Sequence, residues 1–286
     1  KVRDAVRRTG RVLQVGPQRT ANRHYWRANE MIRGGKLGTV TWAQAGWTHN
    51  FREGINEWYT VDESAGPHMT GDDYIDWDRW LGHEWGLAPK IPYNADHFFR
   101  FRKYFRYNGG VATDLLYHYL APLLIAIAGK DGRYPRRVNA CGGLYLDNDG
   151  RDVPDMFIAT IDYPGGFTVN LISTFTNFTP VPPRIFGSFG TIEFEDDWVN
   201  RTTKTTIAGN GDFVPEFRAA NGGYDRMTLP ADTPRDLEGN FFDAIRLGVE
   251  TFCNVELGCA TTVAIAMAVE SYRTDKTLLW DAAAET

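Results

Sequence analysis

Strand candidates follow one another closely in the second half of the chain, with only short turns between them. Glycine and proline mark the turns, as at Pro164-Gly165-Gly166. Consecutive strands with short connections pair antiparallel, because a parallel pair needs a long crossover. The sequence therefore predicts an antiparallel meander built from the segments 138–145, 156–163, 167–176, 184–189, 190–194 and 203–207.

Other segments of the chain predict further strands, a loop and several helices. Segment 40–47 alternates and predicts a further strand, Val12–Val15 predicts a short buried strand, and the glycine- and proline-rich segment 210–234 predicts a loop. A helix followed by a strand at the beginning of the chain is half of an alternating α/β unit. Apolar residues at helical spacing predict helices over 1–9, 22–33, 77–81, 237–249 and 257–272.

Segment 107–122 opens with the pair Gly109-Gly110 and continues as an apolar helix. Asp114 and His118 lie four residues apart in it, which places a carboxylate and an imidazole on one helix face. The pair could share a proton or a ligand. A first-turn carboxylate and a packed histidine would explain the same pattern. Pro122 lacks the N–H that the carbonyl of His118 would accept, which predicts a kinked or loosened helix there.

Charge and composition exclude several functions. The net charge is -5 and no basic stripe stands out, which argues against nucleic acid as a partner. The longest apolar run, 115–128, is interrupted and too short to cross a bilayer. The three cysteines are scattered, which predicts free thiols. The histidines lack the spacing of metal ligands, so a metal site is not expected. A phosphate-binding loop is not present in the sequence either. Aromatic residues reach 14%, which weakly favours a carbohydrate-like ligand.

Several segments, taken in order, resemble the Gfo/Idh/MocA oxidoreductases, the superfamily of glucose-fructose oxidoreductase and inositol dehydrogenase. The resemblance covers nearly the whole chain. The segments that carry it are Gly10–Arg19, Ile32–Gly38, Asp76–Gly82, Gly109-Gly110 with Asp114 and His118, Val255–Gly258 and Leu279–Asp281.

That resemblance implies an α/β (α+β) fold with an open, mostly antiparallel sheet and helices packed on one face, preceded by the last helix and strand of a Rossmann domain. Residues 1–18 would be the end of that dinucleotide-binding domain. Residues 19–286 would form the substrate-binding and oligomerisation domain, and copies of the protein would associate through the open sheet.

The resemblance also implies a site. In the family, a lysine of a Glu-Lys-Pro motif works with an aspartate and a histidine four residues apart. Asp114 and His118 match the last two, whereas the Glu-Lys-Pro segment and the glycine fingerprint are absent from this sequence. We therefore expect Asp114 and His118 to be catalytic and the NAD or NADP site to lie upstream of Lys1. A histidine suits the removal of a hydroxyl proton near neutral pH.

Four further residues flank the family motifs and could bind substrate oxygens, although surface or packing roles fit them equally well. They are Arg19, Arg102, Lys103 and Tyr107. Many family members carry an aspartate three residues after the histidine, where this chain has Ala121. The contribution of that carboxylate is therefore missing.

The leading hypothesis is that the chain is the substrate half of an NAD(P)-dependent oxidoreductase that transfers hydride from a sugar, polyol or glycoside. The chain alone is not expected to turn over or to hold the cofactor tightly. Two alternatives stay open: a non-catalytic carbohydrate-binding or assembly module, and an NAD-dependent glycosidase on the same scaffold. The sequence does not distinguish a cytoplasmic from a bacterial periplasmic location.

Overall fold

The computed structural model describes residues 1–50, 59–197 and 202–285. The helices are α1 (Val2–Thr9), α2 (Arg23–Arg33), α3 (Trp77–Leu81), α4 (Ala95–Phe99), α5 (Tyr117–Ala128), α6 (Val214–Ala220), α7 (Leu237–Leu247) and α8 (Val255–Thr274). The strands are β1 (Val40–Thr48), β2 (Arg137–Gly143), β3 (Met156–Tyr163), β4 (Phe167–Thr174), β5 (Arg184–Gly187), β6 (Gly190–Asp197), β7 (Thr202–Gly209), β8 (Arg226–Asp232) and β9 (Leu278–Leu279).

The described strands form one open sheet in the order β8-β7-β6-β5-β1-β4-β3-β2-β9. Only the central pair, β1 and β4, is parallel within this sheet, and the other neighbouring pairs run antiparallel. The turn between Tyr163 and Phe167 joins β3 and β4 as a hairpin. The predicted mixed fold with a mostly antiparallel sheet is therefore confirmed.

Alternation along the strands places the core on one face of the sheet. On β1, Ala43 and Ala45 are fully buried, whereas Trp42 and Gln44 on the other face keep part of their surface. Helices α5 and α8 cover the buried face, and Leu120 and Ala264 pack into the same core as β1. By length and composition α8 could also cross a membrane, but core helices meet that criterion too, and α8 contributes to this core.

Two sequence predictions were wrong. Val12–Val15 forms no strand, because its backbone pairs with no strand in the described part of the chain; instead the Val15 N–H donates to the Cys253 carbonyl at 3.0 Å. Segment 210–234 is not only a loop, since it contains α6 and β8. Phe217 is fully buried and packs α6 onto the core. The glycine and proline content of the segment gave no sign of this helix.

Candidate functional site

The Asp114 helix begins at a tight, packed turn. Gly110 adopts φ +68°, and a Cβ on it would lie 2.9 Å from the Cβ of Val153. The Thr113 hydroxyl accepts the Gly109 N–H at 3.0 Å and donates to Asn108 Oδ1 at 2.8 Å. These bonds tie Asn108 and Gly109, just before the helix, to its first turn. The turn therefore fixes where Asp114 emerges.

The first turn of this helix is a π-helix over Ala112–Leu116, and a regular α-helix continues through Pro122 to Ala128. The kink or loosening predicted at His118 is therefore not found, since the α-helix is regular there, and the irregular turn lies about one turn before His118, around Asp114. Single π turns inside α-helices occur frequently at functional sites, because the wider turn reorients side chains. Nothing in the sequence signals this wider turn.

Asp114 forms an ion pair with Arg102. Arg102 Nε lies 2.9 Å from Asp114 Oδ2, and the two side chains are 20% and 24% exposed. The Arg102 guanidinium also lies over the rings of Phe101 at 4.5 Å and Tyr59 at 5.4 Å, which holds it by cation–π attraction. The carboxylate is therefore oriented from outside its own helix.

His118 is half-buried beside this pair. Burial lowers the pKa of His118 below its usual value, the Asp114 carboxylate opposes that shift, and the Arg19 guanidinium adds to it. The Asp114 carboxylate thus acts electrostatically on His118, four residues further along the chain. The neutral imidazole is the form favoured at neutral pH, and it can accept a proton.

Arg19 is a second charged residue near His118, and it is held by Asp196 and Tyr119. Its Nη1 lies 2.8 Å from Asp196 Oδ2, and its guanidinium lies 4.1 Å from the centre of the Tyr119 ring. Both charged side chains are nearly buried, at 10% and 14% exposure. Asp196 was not found by sequence reasoning, because it lies on β6, far along the chain, and carries no motif of its own.

The other two candidates have different surroundings. Lys103 is buried, and its Nζ lies 2.9 Å from Asp96 Oδ2 and 3.8 Å from Asp149 Oδ2. Tyr107 shares a hydrogen bond with His97, with 2.9 Å between the hydroxyl and Nδ1. Lys103 therefore serves internal ion pairs, whereas Tyr107 lines a separate cavity described below. Of the four flanking candidates, Arg19 and Arg102 lie beside the Asp114–His118 pair.

Residues 43–149 match the family model described as "Oxidoreductase family, C-terminal alpha/beta domain" of the Gfo/Idh/MocA group. The matched segment contains Asp114 and His118 together with Arg102. This segment of the chain is therefore similar to the C-terminal domain of the Gfo/Idh/MocA oxidoreductases. No curated protein matches the chain.

Solved structures of low sequence identity share the fold of this chain. Aldose-aldose oxidoreductase from Caulobacter crescentus aligns with a TM-score of 0.63 and 16% identity, over 96% of this chain and 66% of that one. An NAD-binding protein from Listeria innocua aligns with a TM-score of 0.57 and 17% identity, over 97% and 70%. The chain thus spans about two thirds of the length of these proteins, and at such identities the likeness concerns the fold alone.

Proposed function

We propose that this chain is the substrate-domain part of an NAD(P)-dependent oxidoreductase that transfers hydride from a sugar, polyol or glycoside carbinol. The observation that carries the proposal is the placement of the half-buried His118 four residues after Asp114, whose carboxylate pairs with Arg102; burial lowers the pKa of His118. A neutral imidazole next to an oriented carboxylate is suited to general-base chemistry at neutral pH. The oxidoreductase fold of the family supports the same reading.

The residues present fit a nicotinamide cofactor only in part. Hydride transfer from a carbinol requires a proton acceptor near the cofactor, and the half-buried His118 supplies one. A strand–glycine-rich loop–helix unit that would hold the pyrophosphate is not found within residues 1–50, 59–197 and 202–285. This chain would therefore contribute the proton-handling side of the site.

In the proposed reaction, the bound nicotinamide ring would accept the hydride. His118 takes the proton from the substrate hydroxyl, so that the carbinol carbon can become a carbonyl. Asp114, restrained by Arg102, orients a substrate hydroxyl or the imidazole and stabilises the imidazolium that forms. Arg19, anchored by Asp196, places a positive charge near His118 that disfavours protonation before the substrate arrives.

The experiment is turnover of the full-length enzyme with a panel of sugars, polyols and glycosides, with NAD and with NADP. We expect His118→Ala to reduce kcat/KM by about a hundredfold or more, the usual worth of general acid–base catalysis. His68→Ala is the matched control, since His68 is an exposed histidine outside the site. Equal rates for His118→Ala and the natural enzyme would remove His118 from the mechanism. The absence of nicotinamide reduction with any member of the panel would contradict the proposed activity.

A further inference from the structure

A cavity of about 300 Å³ lies beside the Asp114–Arg102 pair. This volume is at the low end of the range for small-molecule sites, which suits a ligand the size of a single ring. The cavity is formed by α3, the segment after it and residues 101–107. Its lining residues are Trp80, Leu81, Leu87, Ala88, Phe101, Arg106 and Tyr107.

Aromatic rings dominate the lining. Trp80 is stacked on Trp77, with 5.0 Å between ring centres, and the Tyr107 ring meets it edge-on at 4.9 Å. These contacts fix the Trp80 indole, yet 36% of the residue stays exposed. A rigid indole that is partly open toward a cavity offers a flat apolar surface to a ligand at little entropic cost.

Polar groups lie around the aromatic surface. Arg106 is exposed and lines the cavity with a guanidinium that has several N–H donors. The Tyr107 hydroxyl lies at the same cavity and is oriented by His97. A pyranose ring has the complementary chemistry, since its C–H face packs on aromatic rings and its hydroxyls accept hydrogen bonds at the rim. A purely apolar ligand would leave the Arg106 donors unused.

One lining residue of the cavity, Phe101, also contacts the proposed site. Phe101 lines the cavity, and the guanidinium of Arg102 lies over the Phe101 ring at 4.5 Å while Arg102 Nε contacts Asp114. Phe101 thus connects the lining of the cavity to the residue that pairs with Asp114. A glycoside with one ring in the cavity has a second ring to place on the Arg102 side of Phe101.

We propose that the cavity at Trp80, Phe101 and Tyr107 binds a sugar ring, and that the substrate is a glycoside whose neighbouring ring lies at Asp114 and His118. This inference rests on the proposed function for the reacting ring. The binding of a sugar ring at Trp80 can nevertheless be measured without turnover.

The binding experiment is a titration of the chain, followed by tryptophan fluorescence and NMR, with cellobiose, with maltose and with glucose. We expect at least one disaccharide to bind about tenfold more tightly than glucose. Trp80→Ala should remove that preference and Trp80→Phe should retain it. Trp85→Ala is the matched control, because Trp85 is 66% exposed and does not line the cavity. Circular dichroism of each variant checks that the fold is intact.

The second arm measures kcat/KM of the full-length enzyme. Trp80→Ala should lower kcat/KM for the disaccharide about tenfold more than for glucose. Disaccharide binding that depends on Trp80, in an enzyme without nicotinamide reduction, would support the ring subsite and contradict the oxidoreductase. Nicotinamide reduction with equal effects of Trp80→Ala on both sugars would support the oxidoreductase and overturn the subsite. Absence of disaccharide binding in the titration would also overturn the subsite.

Discussion

Gly110→Ala tests whether the turn before Asp114 is held by its packing. Gly110 has φ +68°, a conformation that costs an L-residue about 1–2 kcal/mol. The new Cβ would also lie 2.9 Å from the Val153 Cβ, and overpacking of this kind costs about 1–3 kcal/mol. Val153 is buried and has little room to withdraw. We therefore expect the free energy of unfolding to fall by about 2–5 kcal/mol.

Chemical denaturation of the two proteins measures this loss, and Gly35→Ala provides the control. Gly35 has a similar φ of +71°, but a Cβ there meets nothing within 4 Å. Gly35→Ala should therefore cost only the backbone strain of about 1–2 kcal/mol. Equal losses in the two variants would refute the packing argument. In addition, the NMR signals of His118 should shift in Gly110→Ala and stay in place in Gly35→Ala, because only Gly110 begins the helix that carries the site.

Two further predictions concern charge. Asp114→Asn removes the carboxylate that raises the pKa of His118, so an NMR titration of the imidazole should show a lower pKa. On the acid side, kcat/KM rises as His118 loses its proton. That rise should therefore move to lower pH in the variant. An unchanged titration would contradict the coupling of the two residues. Lys103→Met removes the buried cation that Asp96 and Asp149 share. Chemical denaturation should show a free energy of unfolding lower by about 3 kcal/mol. This value is at the low end for breaking a buried ion pair, because both carboxylates are partly exposed. A free energy of unfolding equal to that of the unsubstituted protein would mean that the ion pairs of Lys103 contribute nothing to stability.

Much of the sheet was predictable from sequence because local signals are strong there. Met156–Tyr163 and Phe167–Thr174 alternate, and the turn between them contains two glycines, so both strands and their hairpin are found as predicted. Val12–Val15 fails for the opposite reason. A short apolar segment forms a strand only if another strand pairs with it, and none of the described strands pairs with Val12–Val15.

The site was predictable only in the part that is local in sequence. Asp114 and His118 are four residues apart, so helical geometry was enough to pair them. The partner of Arg19, Asp196, is brought near by the fold of the sheet, which no spacing rule reveals. The π-helix at Ala112–Leu116, which follows the packed Gly110 turn, is likewise not revealed by any spacing rule.

The position of Asp114 depends on one short segment, Phe101–Lys103, in two ways. Arg102 binds the carboxylate directly. The Lys103 carbonyl accepts the N–H groups of Asp152 and Val153, and Val153 is the residue that packs on the Gly110 turn. Adjacent residues thus fix both the Asp114 side chain and the backbone turn from which its helix begins. The segment Phe101–Lys103 therefore supports the position of Asp114 through the Arg102 side chain and through the backbone carbonyl of Lys103.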